Sequence, residues 1–587
     1  MKHSDRRLIR GLVLWIAFLC PLALAGSLTI DTPQGPVTIE VPHVGPQGNL
    51  VRPGAPQPAG FTPPSIFSAP LPSGSGARAL GTAGAFTALA DDATAASWNP
   101  GGLTQLETPE FSYVLRGSRE SQQHRSSSSS FQTDGDEFDA LHLNYMSIAY
   151  PFRWLQRNWV ASFNYQESYD FTQQFTAQKL DSSGSSDSGA QAGRYTDTVV
   201  DRYSDPHVEL TITEHLTTDV DSTIRQMLSQ NMISSLDFEQ QGVIEAFSPA
   251  FAVDLNKRLA AGMALNFYQD GKTFGNAIRS SIQADYSGYS DSTALIDTTR
   301  RTSGYYTYDG VAHFEPSGDI PFPYDVPFNG DGTVEPFTDQ TDSTSRNRHY
   351  VEGHYNEQNE FDDLTGFNAT FGILWAVNTH INLGLTVDLP WTAEASMTKT
   401  VNNTQTTYDS SRSRVVDVSE THTVQNKDVE FTFPAYAAAG ITLKWNNRTY
   451  SMFEVSQTRW SDFSFQADGE EKINPLNGQP ADASPIDDCW AARVGTEHLL
   501  IFPSTIIPLR AGFAWEEHPA VDSPDNYWSV SLGSGVSIGK APVKCTIDVA
   551  YSYTWANDVL SSLVPGQSGL ASDVEKHQIF VSNIWHF

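Results

Sequence analysis

The side chains that could carry out chemistry form no catalytic or metal-binding pattern. Gly535, Ser537 and Gly539 match the G-x-S-x-G motif of hydrolases. That motif needs a strand–turn–helix context, whereas here it ends a strand of alternating residues. The histidines include no H-E-x-x-H pair, and residues 329–335 lack the regular ligand spacing of a calcium loop. The sequence therefore predicts no enzyme, no cofactor and no metal site.

The charge of the chain and its first 25 residues indicate an acidic, exported protein. The 587 residues carry a formal charge of −32, which argues against nucleic acid because phosphate binding needs clustered Lys and Arg. Lys2, Arg6, Arg7 and Arg10 precede an apolar run that ends at Ala25, and this pattern is typical of a secretory signal peptide. Residues 26–72 form a Pro/Gly-rich extension. No later stretch reaches the ~20 apolar residues of a membrane helix.

Strict alternation of apolar and polar residues dominates the chain after residue 108. Val543, Ile547 and Tyr551 lie on one face of the clearest segment, with Lys544 and Asp548 on the other, as in a strand with one apolar face. We place fourteen strands at 109–118, 140–151, 158–171, 243–256, 258–269, 363–377, 380–394, 428–445, 448–462, 488–501, 507–517, 525–539, 542–556 and 575–587. Two architectures fit the alternation: an exported β-sandwich or propeller, and an outer-membrane barrel.

Loop lengths separate these two interpretations. Connections after the even-numbered strands are short, whereas those after odd-numbered strands include residues 172–242 and 270–362. Short periplasmic turns, long external loops and an even strand number are the rule for bacterial outer-membrane barrels. The polar faces are mostly Gly, Ala, Ser, Thr and Asn, and tryptophans lie toward strand ends, where an interfacial girdle needs them. We therefore predict an all-β protein, a 14-stranded antiparallel transmembrane β-barrel.

The charge and the C-terminus fit this topology. Residues 171–242, 271–362 and 463–488 carry net charges of −7, −9 and −5, so the acidity belongs to the external loops. Phe587, an aromatic terminus on an alternating strand, is typical of the signal read by the barrel assembly machinery. We expect a multi-pass protein of a Gram-negative outer membrane, in contact with its lipid and lipopolysaccharide. Cys489 and Cys545 lie near opposite ends of the barrel, so we predict no disulfide.

A motif lies between the extension and the first strand. It comprises Ser75-Gly76-Ala77-Arg78-Ala79, then Ala90-Asp91-Asp92-Ala93 and Asn99-Pro100-Gly101-Gly102-Leu103-Thr104. This motif resembles the N-terminal hatch signature of the FadL/TodX family of outer-membrane channels for hydrophobic compounds. Segments 433–441, 460–463, 493–497 and 509–512 are similar too. The family resemblance implies a fourteen-stranded barrel, residues 108–587, whose lumen is plugged by a hatch, residues 73–107.

The resemblance also implies candidate site residues. The hatch or gate residues are Arg78, Asp91, Asp92, Asn99, Pro100 and Gly101. Asp91 and Asp92 have two interpretations: they pair with lumen cations such as Arg116, Arg493 or Arg510, or they cap a helix end.

Two further sites concern capture and release. Leu216, Val220, Ile224, Met227 and Leu228 fall at helical spacing, and because the family has a helical external loop, this stripe is a candidate ligand-capture surface; alternatively it packs against its own loop. Pro249 and Pro434 lie mid-strand, where proline removes a ladder hydrogen bond, and are candidate borders of a wall opening; the alternative is a bulge without function.

The resemblance implies passive uptake of long-chain fatty acids or of aromatic or aliphatic hydrocarbons by a monomer. The ligand would be captured by external loops and released past a movable hatch. The alternative is a FadL-like barrel that acts as a scaffold or assembly partner. The long loops and the extension, both unusual for the family, leave the substrate open.

Overall fold

The computed structural model describes residues 27–32, 35–40, 71–72, 74–126, 131–133, 135–315, 323–503, 505–520, 523–540, 543–560 and 570–587. The signal peptide and most of the extension, predicted at residues 1–25 and 26–72, lie outside the described residues. The described part falls into two compact units. No helix in it is long and apolar enough to cross a membrane.

Strands make up almost all of both units. They are β1 Ser27–Thr32, β2 Gly35–Glu40, β3 Leu71–Pro72, β4 Glu110–Ser126, β5 Phe131–Thr133, β6 Asp136–Trp154, β7 Arg157–Asp170, β8 Gln173–Asp205, β9 Val208–Gln241, β10 Val243–Asn256, β11 Leu259–Asp270, β12 Arg279–Phe314, β13 Tyr324–Ala376, β14 Ile381–Asp388, β15 Trp391–Tyr408, β16 Val415–Phe433, β17 Tyr436–Asn446, β18 Thr449–Thr458, β19 Ser464–Ala467, β20 Cys489–Ile501, β21 Ile506–His518, β22 Asp525–Lys540, β23 Val543–Leu560 and β24 Leu570–His586.

The larger unit contains a closed barrel. Antiparallel pairing runs through fourteen strands and returns from β24 to β4. In order around the wall they are β4, β6, β7, β10, β11, β13, β14, β17, β18, β20, β21, β22, β23 and β24. The prediction of a 14-stranded antiparallel barrel is confirmed.

The barrel follows from the alternation of its strands. Side chains such as Ile148, Phe371 and Leu532 point outward and are exposed, forming the apolar surface of the wall. Trp154, Trp375 and Trp445 are exposed at the ends of their strands where short turns follow, as an interfacial girdle requires. We call this the inner end of the barrel and the end with long connections the outer end.

Hairpins add further strands at the outer end. β8 and β9 are inserted between β7 and β10, and β15 and β16 between β14 and β17; β12 lies beside β13. The β15–β16 hairpin pairs without interruption from Trp391↔Phe433 to Thr407↔Asp417.

The smaller unit contains Gly184–Ser229, Asp291–Arg348 and the N-terminal Met1–Gln57. Its described part consists of the hairpin β1–β2 and the distal stretches of β8, β9, β12 and β13. Most of its side chains are exposed, and ion pairs cross its strands: Arg348 binds Asp291 through two hydrogen bonds of 2.6 Å each.

The helical stripe predicted at Leu216, Val220, Ile224, Met227 and Leu228 is wrong, because all five residues lie in strand β9. A spacing of four keeps residues on one face of a helix and also on one face of a strand, so the pattern does not distinguish them. In β9, Met227 has the opposite parity and points away from the other four. The Thr, Val and Ile content of residues 211–224 favours the strand.

Candidate functional site

Residues 74–107 lie inside the barrel and plug its lumen. They form two short helices, α1 Ala77–Gly81 and α2 Ala95–Trp98, and a 3-10 helix, Pro100–Gln105. Small residues let the segment fold into this space: Ala79, Ala90 and Ala95 are fully buried. Phe86 and Leu103 supply the larger apolar groups, which pack with Ala250 and Ala264 of the wall. The predicted N-terminal plug is confirmed.

Seven wall glycines let the hatch backbone approach the strands closely. Six of them form three cross-strand pairs: Gly262–Gly372, Gly384–Gly440 and Gly495–Gly512. The seventh is Gly533, which also contacts the hatch. We call these seven residues the glycine belt. A Cβ at Gly262 would lie 2.3 Å from the carbonyl carbon of Pro100, and one at Gly384 would lie 2.3 Å from the carbonyl oxygen of Thr87. The belt therefore holds the hatch by direct backbone contact, and a larger residue at Gly262 or Gly384 would displace it.

Arg78 connects the hatch to the wall through buried carboxylates. Its Nε and Nη2 donate to both oxygens of Glu497, at 3.0 and 2.9 Å, and Nη1 binds Asp91. Glu497 also accepts from Arg510 at 2.6 Å, and Arg510 donates to Asp548 at 2.5 Å. Glu497 is 1% exposed, so its two arginines neutralise a charge that has almost no access to water.

A second network holds the middle of the hatch. One oxygen of Glu454 accepts the backbone N–H groups of Phe86 and Thr87 at 3.1 and 2.9 Å. Its other oxygen binds Arg493 at 3.2 Å, and Arg493 donates to Glu516 at 2.7 Å. The hatch is thus attached at both the Arg78 and the Glu454 sites.

The structure separates the roles of the two hatch aspartates. Asp91 pairs with Arg78, not with the predicted Arg116, Arg493 or Arg510. Asp92 accepts from the backbone N–H and the hydroxyl of Thr94, at 2.8 and 2.6 Å, just before α2. Asp92 therefore forms a local turn before α2 without capping it, because the N-cap residue is Thr94 and has no side-chain cap hydrogen bond. Asp92 also lies 4.0 Å from Arg78, the ion-pair partner of Asp91.

The predicted turn Asn99-Pro100-Gly101 lies against the glycine belt. The Asn99 side chain accepts the Gly101 N–H at 3.0 Å and donates to the carbonyl oxygens of Thr87 and Ile373 at 2.8 and 3.0 Å. Asn99 is fully buried. One amide therefore fixes two hatch segments to each other and to β13.

Aromatic rings fill the inner face of the barrel on the outer side of the hatch. The rings of Tyr268 and Trp391 stack at 3.7 Å between centroids, and those of Trp391 and Phe433 at 4.3 Å. Tyr169 adds a tilted contact to Phe433 at 4.9 Å. We call the buried rings of this group the aromatic cluster: Tyr169, Tyr268, Phe361, Trp391, Phe431, Phe433 and Phe463.

A chain of polar groups separates the aromatic cluster from the hatch. Four of its links join side chains, and in the fifth the Asn164 amide donates to the main-chain carbonyl of Ser248. Five hydrogen bonds of 2.7 to 2.9 Å cross six neighbouring strands. We call this chain the polar ribbon; its members are Tyr145, Asn164, Ser248, Asn266, Asn368 and Asp388. The Tyr145 hydroxyl also lies 2.9 Å from the hatch carbonyl oxygen of Ala93, so its single proton serves either this oxygen or Asn164.

The wall is broken between β6 and β7. Their pairing runs from Trp154↔Arg157 to Tyr145↔Gln166 and stops there among the described residues, although both strands continue outward. At the freed edge of β7, Leu71–Pro72 pair with Tyr169 and Asp170. A pocket of about 290 Å³ lies at the break, lined by residues 138–142, 172–174, 239–243 and Asn276.

Charged side chains cross the lumen beside this break. Arg116 of β4 binds Glu167 and Asp170 of β7 at 2.5 and 2.6 Å, and His142 of β6 lies 3.0 Å from Glu167. They connect strands whose backbones have separated, so the break is closed by polar side chains and by the two residues of β3.

Neither predicted proline borders this break. Pro249 lies within β10, where it faces Phe163 of β7 and where pairing with β11 resumes at Ala250↔Ala264. Pro434 lies between β16 and β17 and not mid-strand, because the chain leaves the outer hairpin there and enters the barrel. The wall break between β6 and β7 is therefore elsewhere than predicted.

Sequence reasoning missed the acidic partners Glu454 and Glu497 and the polar ribbon. The paired glycines carried a signal, because each is an inward position of an alternating strand and small residues there favour contact with a plug. No comparable signal marks Asn266 or Asn368, since isolated asparagines are also common in loops and turns.

Comparison with known proteins finds no matching family model and no matching curated protein. Among solved structures, the chain is similar to a FadL homologue of Pseudomonas aeruginosa, with 13% identity over 88% of this chain and 99% of that chain and a TM-score of 0.43. The toluene transporters TbuX of Ralstonia pickettii and TodX of P. putida give 12% and 11% identity, the same coverage, and TM-scores of 0.41 and 0.40. At these identities and scores the matches alone decide nothing about what this chain transports.

Proposed function

We propose that this chain is an outer-membrane channel of the FadL/TodX type for passive uptake of hydrophobic compounds. Long-chain fatty acids and aromatic or aliphatic hydrocarbons are the substrate classes that the hatch motif suggests. The observation that carries the proposal is the aromatic cluster, which lies on the inner wall between the polar ribbon and the outer end and borders the wall break through Tyr169.

The proposed path starts at the outer end. A hydrophobic molecule leaves the aqueous side where apolar residues of the loop after β18, such as Leu476 and Ile486, pack on the aromatic cluster. Displacing these residues exposes apolar surface, and each Å² that a ligand then hides from water contributes about 25 cal/mol. The cluster therefore serves as the capture site in place of the stripe on β9.

The proposed exit is the wall break and not the hatch. Movement of the hatch would break the Arg78 and Glu454 networks together, and breaking one buried ion pair costs about 3–5 kcal/mol. Opening the wall break separates the two-residue strand β3 and one buried ion-pair network, that of Arg116 with Glu167 and Asp170, whereas movement of the hatch breaks two such networks and the backbone contacts with the glycine belt. A molecule that leaves there enters the apolar layer of the membrane without crossing the polar ribbon.

Uptake of radiolabelled oleate and of an alkylbenzene, with and without the gene, tests the function. We expect uptake to depend on the gene for at least one compound, and equal uptake of every compound would refute the channel. To test the exit, Ala140→Trp fills the pocket at the break. Leu532→Trp, on the exposed outer face, is its control. Only Ala140→Trp should slow uptake.

A disulfide that fixes the hatch to the wall distinguishes exit past the hatch from exit through the wall break. The Cβ atoms of Ala88 and of a residue placed at Gly440 would lie 3.3 Å apart, a few tenths of an ångström below the ~3.5–4.5 Å range of disulfides. The double variant Ala88→Cys/Gly440→Cys is made with Cys489 and Cys545 replaced by serine. We expect uptake to survive oxidation; loss of uptake that a reductant restores would show that the hatch must move.

The scaffold function is the second candidate, because the rings of the aromatic cluster fill the lumen that they line. Under that hypothesis the protein would be needed for the assembly or level of another outer-membrane protein. Its deletion would change the composition of purified outer membranes and leave the uptake of every hydrophobic compound unchanged.

A further inference from the structure

We infer that the aromatic cluster selects a flat aromatic molecule that carries one hydroxyl group, in preference to a fatty carboxylate. This inference rests on the proposed uptake function and names the substrate class of the same site. It depends on two polar groups at the edge of the cluster, the carboxyl group of Asp388 and the indole N–H of Trp391.

The ring geometry favours a flat ligand. Tyr268 and Trp391 are inclined by only 7°, and Trp391 and Phe433 by 9°. Three parallel faces at these spacings form a stack in which another planar ring can replace or extend a member, because offset stacking is favourable between planar π-systems. An alkyl chain gains the same burial but no stacking.

Asp388 provides a hydrogen-bond acceptor at the floor of the stack. Its Oδ1 accepts from Asn368 at 2.9 Å and from Thr370 at 2.8 Å. Within the described chain, Oδ2 accepts no hydrogen bond and no cation pairs with this carboxyl group. The Asn368 side chain, which donates to this carboxyl group, also accepts from the Tyr268 hydroxyl at 3.2 Å, so the carboxyl group lies at the edge of the aromatic cluster.

Trp391, which follows Asp388 by three residues and stacks on Tyr268, provides a donor. The residue is 4% exposed, and its Nε1 is buried and has only a weak interaction with the Tyr169 hydroxyl that falls short of hydrogen-bond geometry. A buried N–H group without an acceptor costs about 1–3 kcal/mol, so a ligand atom that accepts from it is stabilised. A hydroxyl group both donates and accepts, and it therefore satisfies Asp388 and Trp391 together.

A carboxylate fits these groups poorly. It has no proton to donate to Asp388, and its charge is repelled by the Asp388 carboxylate. Arg116, the arginine beside Tyr169 at the wall break, already binds Glu167 and Asp170. A fatty acid anion would therefore enter a site that offers a buried negative group and no cation to pair with it.

Three matched ligands test the inference in cells that carry the full-length protein: 4-propylphenol, propylbenzene and 4-propylbenzoate, each radiolabelled. We expect gene-dependent uptake at low concentration to be at least about ten-fold faster for the phenol than for the benzoate, with propylbenzene between them. Trp391→Phe should reduce the advantage of the phenol over propylbenzene. Asp388→Asn should raise uptake of the benzoate and narrow the difference between it and the phenol.

Trp528→Phe, on the outer face of β22, is the matched control and should change none of the three rates. Migration of each barrel on unheated gels checks folding, and Trp391→Phe keeps the test decisive if Asp388→Asn does not fold. Equal gene-dependent uptake of the phenol, hydrocarbon and benzoate would overturn this inference alone. If the gene enhances uptake of none of them, nor of oleate, the proposed channel function fails instead.

Discussion

Replacing Glu497 with glutamine should loosen the hatch, because one buried carboxylate serves two arginines. Arg78 donates two hydrogen bonds to Glu497, and Arg510 donates a third at 2.6 Å. Removing one member of a buried charge pair costs about 3–5 kcal/mol. Asp91 still pairs with Arg78 and Asp548 with Arg510, so we expect the lower end, about 3 kcal/mol.

This free energy has a measurable consequence. About 3 kcal/mol raises the equilibrium population of an unseated hatch by roughly two orders of magnitude. Hydrogen exchange of the amides of residues 77–106 in the purified protein should accelerate by that factor, and conductance in planar bilayers should show more open events. Glu137→Gln is the control, because Glu137 pairs with Arg119 where both side chains are more than half exposed and such pairs contribute about 0–1 kcal/mol. Unchanged exchange in Glu497→Gln would refute the role of this network in holding the hatch.

Two further predictions follow from named contacts. Gly372→Ala should prevent the hatch from binding inside the barrel, because the new Cβ would lie 2.1 Å from Oδ1 of Asn99. Gly117→Ala is the control and should fold normally, because the nearest atom to its Cβ would be 4.0 Å away. The yield of folded protein and the hydrogen exchange of the hatch amides are measured for both variants. Asp409 accepts from the hydroxyl and N–H of Ser411 and from two further N–H groups of its turn, and the Ser411 hydroxyl above all holds the pKa of the Asp409 carboxyl below its usual range. A lowered pKa stabilises the turn above the ordinary pKa and loses this effect as the pH falls through the lowered value. The protection of the amides of residues 411–414, measured as exchange relative to the intrinsic rate at each pH, should therefore fall on acidification in the wild type and stay constant in Asp409→Ala.

The barrel was predictable because its signal is repeated. Apolar and polar residues alternate in every strand. An error in assigning one segment is corrected by the even number of strands and by the regular succession of short and long loops. The strand content of residues 208–241 was missed because the spacing of Leu216, Val220 and Ile224 fits both secondary structures. Only Met227, whose parity differs in a strand, could have separated the two interpretations.

The partners of the hatch were not predictable for a different reason. Arg78 and Glu497 are 419 residues apart in the chain, and the sequence does not specify which inward residue of which strand meets a given hatch atom. The same holds for the wall break: it arises where the pairing between β6 and β7 ends at Tyr145↔Gln166, and this end depends on tertiary contacts of Asn144 and Glu167 and not on a proline.

The polar ribbon decides which way an apolar molecule can travel from the aromatic cluster. To move toward the hatch it must pass between side chains such as Asn266 and Asn368, joined at 2.7 Å, and each buried polar group left without a partner costs about 1–3 kcal/mol. Sideways, it meets the wall break, where β3 contributes only two paired residues beside β7. An apolar ligand offers nothing to replace the ribbon's hydrogen bonds, so its lower barrier is lateral. A ligand with one hydroxyl can satisfy Asp388 at the edge of the ribbon without interrupting it. In the proposed channel, the ribbon would therefore bind the polar end of such a ligand and keep its apolar part on the side from which the membrane is reached.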